Sequence, residues 1–116
     1  VTNHVFYGFT DWADVAVNFS ADIGPLPEAA YALYVLPSYA GDATIVFKRD
    51  GAWWLASGGH CSCYGLEDQW SPEPFDPVAH LEAKKQGKVI AQMEDYEHDH
   101  PAATQDAFDA WLSEQL

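Results

Sequence analysis

The sequence predicts a small α+β domain: an antiparallel sheet centred on a hairpin at residues 43–57, with two or three helices packed on it. Three observations predict it. Residues 31–36, 43–49 and 52–57 are rich in aromatic and β-branched side chains over strand lengths. Asp50-Gly51 lies between the last two and suits a two-residue type I′ turn, which needs positive φ at both positions. Apolar residues at helical spacing flank this block on both sides.

The elements follow in chain order. Residues 3–9 read as a short first strand. Thr10 or Asp11 caps a helix in which Trp12, Val15, Ala16 and Phe19 make one apolar stripe. Ile23 extends the stripe, and Gly24-Pro25 ends it, because glycine accepts the left-handed terminus and proline cannot continue the helix. YALYVL at 31–36 is apolar on both alternating faces and reads as a central strand. After a loop at 37–42, the Asp50-Gly51 turn dictates the hairpin register. Phe47 faces Trp54 and Ile45 faces Ala56 on an apolar side that should meet the helices. Val46 faces Leu55 and Lys48 faces Trp53 on a mixed side, where Lys48 over Trp53 suits a cation–π contact and part of the surface is expected to be exposed. Residues 65–77 read as loop. Asp76-Pro77 are N-cap and first residue of a second helix that Gly87 ends. Residues 88–93 read as a further strand and 94–100 as an acidic, histidine-bearing turn. Pro101 opens a C-terminal helix with Phe108, Trp111, Leu112 and Leu116 on the expected buried stripe. The whole, residues 1–116, reads as a single domain.

Charge narrows the function classes. The net charge is −13, and no basic residue precedes Lys48 or follows Lys88. Such a surface repels nucleic-acid phosphate and anionic lipid, so a direct nucleic-acid or membrane binder is not expected. No basic stretch followed by an apolar run opens the sequence, and no apolar run approaches a membrane span. The expectation is a cytoplasmic protein, whose two cysteines suit a reducing compartment.

The densest chemistry lies at residues 58–70, GGHCSCYGLEDQW, which hold both cysteines. Three readings compete. In the structural one, Cys61 and Cys63 are small buried hydrophobes, His60 holds the loop through backbone hydrogen bonds, and Tyr64, Leu66 and Trp70 pin it to the core. In the metal reading, Cys61 and Cys63 join His98 and His100 around a tetrahedral zinc; both pairs share the i, i+2 spacing, though zinc sites usually space their cysteines further apart. In the catalytic reading, one cysteine is a nucleophile with His60 or His80 as base, against a negative field that would raise the thiol pKa. The structural reading ranks first, with no cofactor and no catalysis. Trp12, Trp54 and Trp111 fall on core stripes, which leaves Trp53 and Trp70, with His60, Tyr64 and Glu67, as the candidate contact surface.

The string Phe47-Lys48-Arg49-Asp50-Gly51, then Gly59-His60-Cys61-Ser62-Cys63-Tyr64-Gly65-Leu66-Glu67, Gln69-Trp70 and Pro72-Glu73 resembles a set of small uncharacterised bacteriophage proteins. They carry a G-x-H-C-S-C-Y-G-L-E-x-Q-W-x-P-E core after a K-D-G hairpin. The resemblance covers residues 33–76; Arg49 before Asp50 and Trp53-Trp54 after the turn depart from the pattern. It brings no catalytic residue. It implies a phage-encoded protein acting in the cytoplasm of an infected bacterium, where such small acidic proteins bind and inhibit a host protein.

Overall fold

The computed structural model describes residues 3–35, 41–60, 66, 67, 69–85 and 105–116, with the backbone alone at 35, 60, 83–85, 105 and 106. The chain is a small α+β fold. Among the described residues five strands, β1 (His4–Tyr7), β2 (Ala29–Val35), β3 (Gly41–Arg49), β4 (Ala52–His60) and β5 (Glu73–Pro74), lie in one sheet in sequential order. The described helices are α1 (Trp12–Phe19), α2 (Pro77–Lys85) and α3 (Gln105–Gln115).

The hairpin is as expected. Asp50 (φ 54°) and Gly51 (φ 80°) both adopt positive φ, as a type I′ turn requires. All four expected pairs form: Phe47 with Trp54, Ile45 with Ala56, Val46 with Leu55 and Lys48 with Trp53. β2 pairs antiparallel with β3. The sheet is nevertheless mixed rather than purely antiparallel, because β1 pairs parallel with β2. Parallel neighbours need a long crossover, and α1 supplies it. At the exit of β1, Gly8 (φ 85°) lies so close to the Tyr34 carbonyl that a Cβ would collide with it.

The capping expectations hold at helix starts. Asp11 accepts from the Asp14 N–H at 2.8 Å, and Asp76 accepts from the Ala79 N–H at 3.0 Å. The end of α1 is earlier than expected. Ser20 takes the left-handed conformation (φ 50°), and its N–H and that of Ala21 reach back to Val17 and Ala16. Ile23 is therefore buried from a loop, and Gly24 serves as acceptor for Trp12 Nε1 at 2.9 Å.

Two cores sandwich the sheet. On one face, Trp12, Val15 and Phe19 of α1 pack on Ala30, Ala32, Ala43, Ile45, Phe47 and Ala56. On the other, Phe108, Trp111 and Leu112 of α3 pack on Tyr31, Leu33 and Val46, whereas Leu116, expected on the same stripe, follows the end of the helix and is exposed. That second face was expected to be mixed and partly exposed; it is a core. Tyr31 is 2% exposed and stands edge-on to Phe108 at 5.2 Å. Lys48, at its margin, approaches Glu28 at 3.9 Å, and the cation over an aromatic ring is Arg49. The expected strand at 88–93, the turn at 94–100 and the ends of the helices at Gly87 and Pro101 lie outside the described residues.

Candidate functional site: an aromatic groove beside the glycine-rich stretch

The stretch expected to be loop from Gly58 is partly strand. β4 continues through Gly58, Gly59 and His60, which pair with Ala43, Asp42 and Gly41. Two consecutive glycines add no side chains to the sheet, and the returning chain fills that space. Leu66, 1% exposed, lies against Gly58, where a Cβ would come 3.1 Å from Leu66 Cδ2 and 3.2 Å from Phe19 Cε1. Gln69 Oε1 accepts from the Gly59 N–H at 2.9 Å. Trp70 stacks on Phe47 at 5.7 Å and meets Phe19 edge-on at 5.2 Å. Leu66, Gln69 and Trp70 thus clamp the stretch to the sheet. Glycine at 58 is favoured by close approach of side chains rather than by a turn.

Below this clamp, toward the hairpin turn, the first core is not fully covered. An open groove of about 480 Å³ is lined by Ile23, Phe47, Arg49, Ala52, Trp54, Trp70 and Pro72, together with the carboxylates of Asp22 and Asp50. Its walls come from three segments. The hairpin register places Phe47 beside Trp54 and Arg49 beside Ala52 on one face. The loop after α1 brings Asp22 and Ile23, and the clamp brings Trp70. Arg49 is immobilised: its Nη2 donates to the Ile23 carbonyl at 3.1 Å and the Pro25 carbonyl at 2.6 Å. Its guanidinium carbon lies 6.0 Å from the Trp12 ring and 5.9 Å from the Phe47 ring. The groove therefore has aromatic walls and two carboxylates in its lining.

The five contact candidates separate. Trp70 lines the groove. Trp53 is on the opposite face, edge-on to Trp111 at 5.9 Å, and belongs to the second core. Glu67 is exposed at the other end of the sheet, where burial first and then its charge push the Tyr34 pKa up. The His60 backbone ends β4, and its side chain and Tyr64 lie outside the described set. The zinc candidates Cys61, Cys63, His98 and His100 lie outside it as well. Among the described residues, no three His, Cys, Asp or Glu side chains gather as a metal site.

Sequence reasoning missed Ile23, Arg49, Ala52, Trp54 and Pro72 as groove residues. The signal for three of them was present, since the I′ register alone sets Arg49, Ala52 and Trp54 on the Phe47 face. It also missed a polar link in the second core, where His80 Nε2 and Asp109 Oδ1 are 2.8 Å apart. The two side chains, each 9% exposed, tie α2 to α3 beneath Phe75 and Phe108. Pairing of this kind is what allows polar groups to be buried.

Compared with protein families, curated proteins and solved structures, the chain matches none. Among the described residues, no helix is long and apolar enough to cross a membrane.

Proposed function

We propose that this chain is a phage-encoded, acidic interaction protein that binds a host protein in the cytoplasm of an infected bacterium and inhibits it without catalysis. The groove carries the reading. Trp54 and Trp70 are partly exposed beside Arg49, and tryptophan and arginine are the residue types most enriched where binding energy concentrates. Trp70 and Arg49 are held before any partner arrives, by stacking on Phe47 and by hydrogen bonds to backbone carbonyls, so little ordering entropy is lost there on binding. The net charge of −13 gives the surface a field that selects partners by sign. Phage origin rests on the resemblance of residues 47–73.

The test compares the protein with its Ala52→Arg variant. Ala52 is exposed and lines the groove, so a long cationic side chain there obstructs it without entering the core. Both proteins are immobilised and exposed to lysate of a candidate host. The reading expects one protein retained in stoichiometric amount by the wild type, absent from the variant, and rebinding when purified. Identical retention by both, or none by either, contradicts it.

A further inference from the structure

Resting on that reading, we infer that the groove's occupant is a lysine- or arginine-rich segment of the partner, its aliphatic stems against Trp54 and Trp70 and its cations at Asp22 and Asp50. The walls demand apolar surface: Ile23, Phe47, Ala52, Trp54, Trp70 and Pro72 line it. The two carboxylates in the lining demand positive charge. Asp22 and Asp50 are both exposed, and both are positioned by the fold. Asp22 Oδ1 accepts from the Gly24 N–H at 3.1 Å, and Asp50 is held at φ 54° in the turn. Long basic side chains satisfy both demands, because they bury their stems and keep their heads in water, and tryptophan faces attract cations.

Other occupants fit less well. The basic group in the lining, Arg49, turns its Nη2 to two backbone carbonyls, and the two carboxylates outnumber its single charge. Anionic segments, nucleic acid and anionic lipid meet a net charge of −13 and two carboxylates in the groove lining. A second copy of this chain brings the same charge and is repelled. A cationic segment is steered toward the groove by that same field.

The probe is a decapeptide alternating lysine and leucine, titrated while tryptophan emission is followed, beside a decapeptide alternating glutamate and leucine. The informative variant is Asp22→Asn with Asp50→Asn. Asparagine tolerates the left-handed turn conformation, and its side-chain oxygen still accepts from Gly24, so the fold is kept while the charge is removed. The lysine–leucine peptide should bind saturably, the glutamate–leucine peptide should not, and the double variant should bind the former about tenfold more weakly. Ala52→Arg should abolish binding. Equal binding of the two peptides overturns the inference, as does unchanged affinity in the double variant. Equal binding by Ala52→Arg also overturns it, since it would show charge attraction anywhere on the surface. If Ala52→Arg prevents capture of a host protein while the lysine–leucine peptide does not bind, the interface stands and its basic occupant is overturned. If capture itself ignores Ala52→Arg, the functional reading falls.

Discussion

Replacing Leu66 with alanine tests whether residues 66–70 clamp the glycine-rich stretch. The side chain is 1% exposed and touches the first core beside Phe19. Three carbons are removed, each worth ~0.8 kcal/mol of transfer free energy. The cavity adds to this, because Gly58 has no side chain with which to fill it and Phe19 is held in the core. The expected loss is about 3–4 kcal/mol, within the range for buried leucines. Gly58→Ala alone should also destabilise, since its Cβ would meet Gln69 Oε1 at 3.0 Å, Leu66 Cδ2 at 3.1 Å and Phe19 Cε1 at 3.2 Å. In the Leu66→Ala background one of those contacts is gone, and the new methyl partly fills the cavity. The two changes together should therefore cost less than their separate losses combined, by about 1 kcal/mol. Urea unfolding followed by tryptophan fluorescence and circular dichroism measures all three variants. A loss below ~1 kcal/mol for Leu66→Ala, or strict additivity of the pair, would refute the clamp.

Further outcomes follow from the second core and the cysteines. Trp111→Ala should cost ~3–5 kcal/mol, because Trp111 packs against Tyr31, Trp53 and Phe108; an unchanged melting temperature would show that α3 is not docked. The Tyr31 hydroxyl and Thr44 Oγ1 are buried with no hydrogen-bond partner among the described residues, so Tyr31→Phe and Thr44→Val should leave stability unchanged or raise it by ~1 kcal/mol, where a loss would indicate a missing partner. Burial, and then the neighbouring Tyr7, raise the Tyr31 pKa above its ordinary value of 10.0. Up to about pH 10 both folded and unfolded states keep this phenol protonated; above it the unfolded state ionises first, so the folded state binds more protons and stability falls with rising pH. Tyr31→Phe should blunt that alkaline loss, which an unchanged pH–stability curve would contradict. Under the structural reading of Cys61 and Cys63, protein purified without added metal contains no stoichiometric zinc and EDTA leaves its melting temperature unchanged; about one equivalent of zinc would instead make the loop a metal site.

What was legible in the sequence was local. The Asp50-Gly51 turn forces the register of Phe47, Lys48, Trp53 and Trp54, and Asp11 and Asp76 announce helix starts by chemistry acting within one turn. What was not legible depends on distant segments. The parallel pairing of His4–Tyr7 with β2 is decided by how α1 crosses the sheet, not by composition. The extension of β4 through Gly58-Gly59 opposes the usual meaning of paired glycines, and only Leu66 and Gln69 returning from eight and ten residues on make it favourable. Lys48 made the second face look mixed, yet it sits at the margin while Tyr31, Leu33 and Val46 form the covered centre. Trp53 and Trp70 look equivalent in sequence, but the alternation of β4 sends Trp53 to α3, while the clamp sends Trp70 to α1 and the groove.

The central claim is that a partner seats on the groove face and not on the opposite one, and the five tryptophans report on it directly. The measurement is a two-dimensional spectrum of the isotope-labelled protein, with and without the host protein it captures, reading the indole N–H signals. Trp54 and Trp70 should shift, whereas Trp53 and Trp111, in the second core, should stay in place. Shifts confined to Trp53 and Trp111, or no shift at Trp54 and Trp70 on saturation, would contradict it.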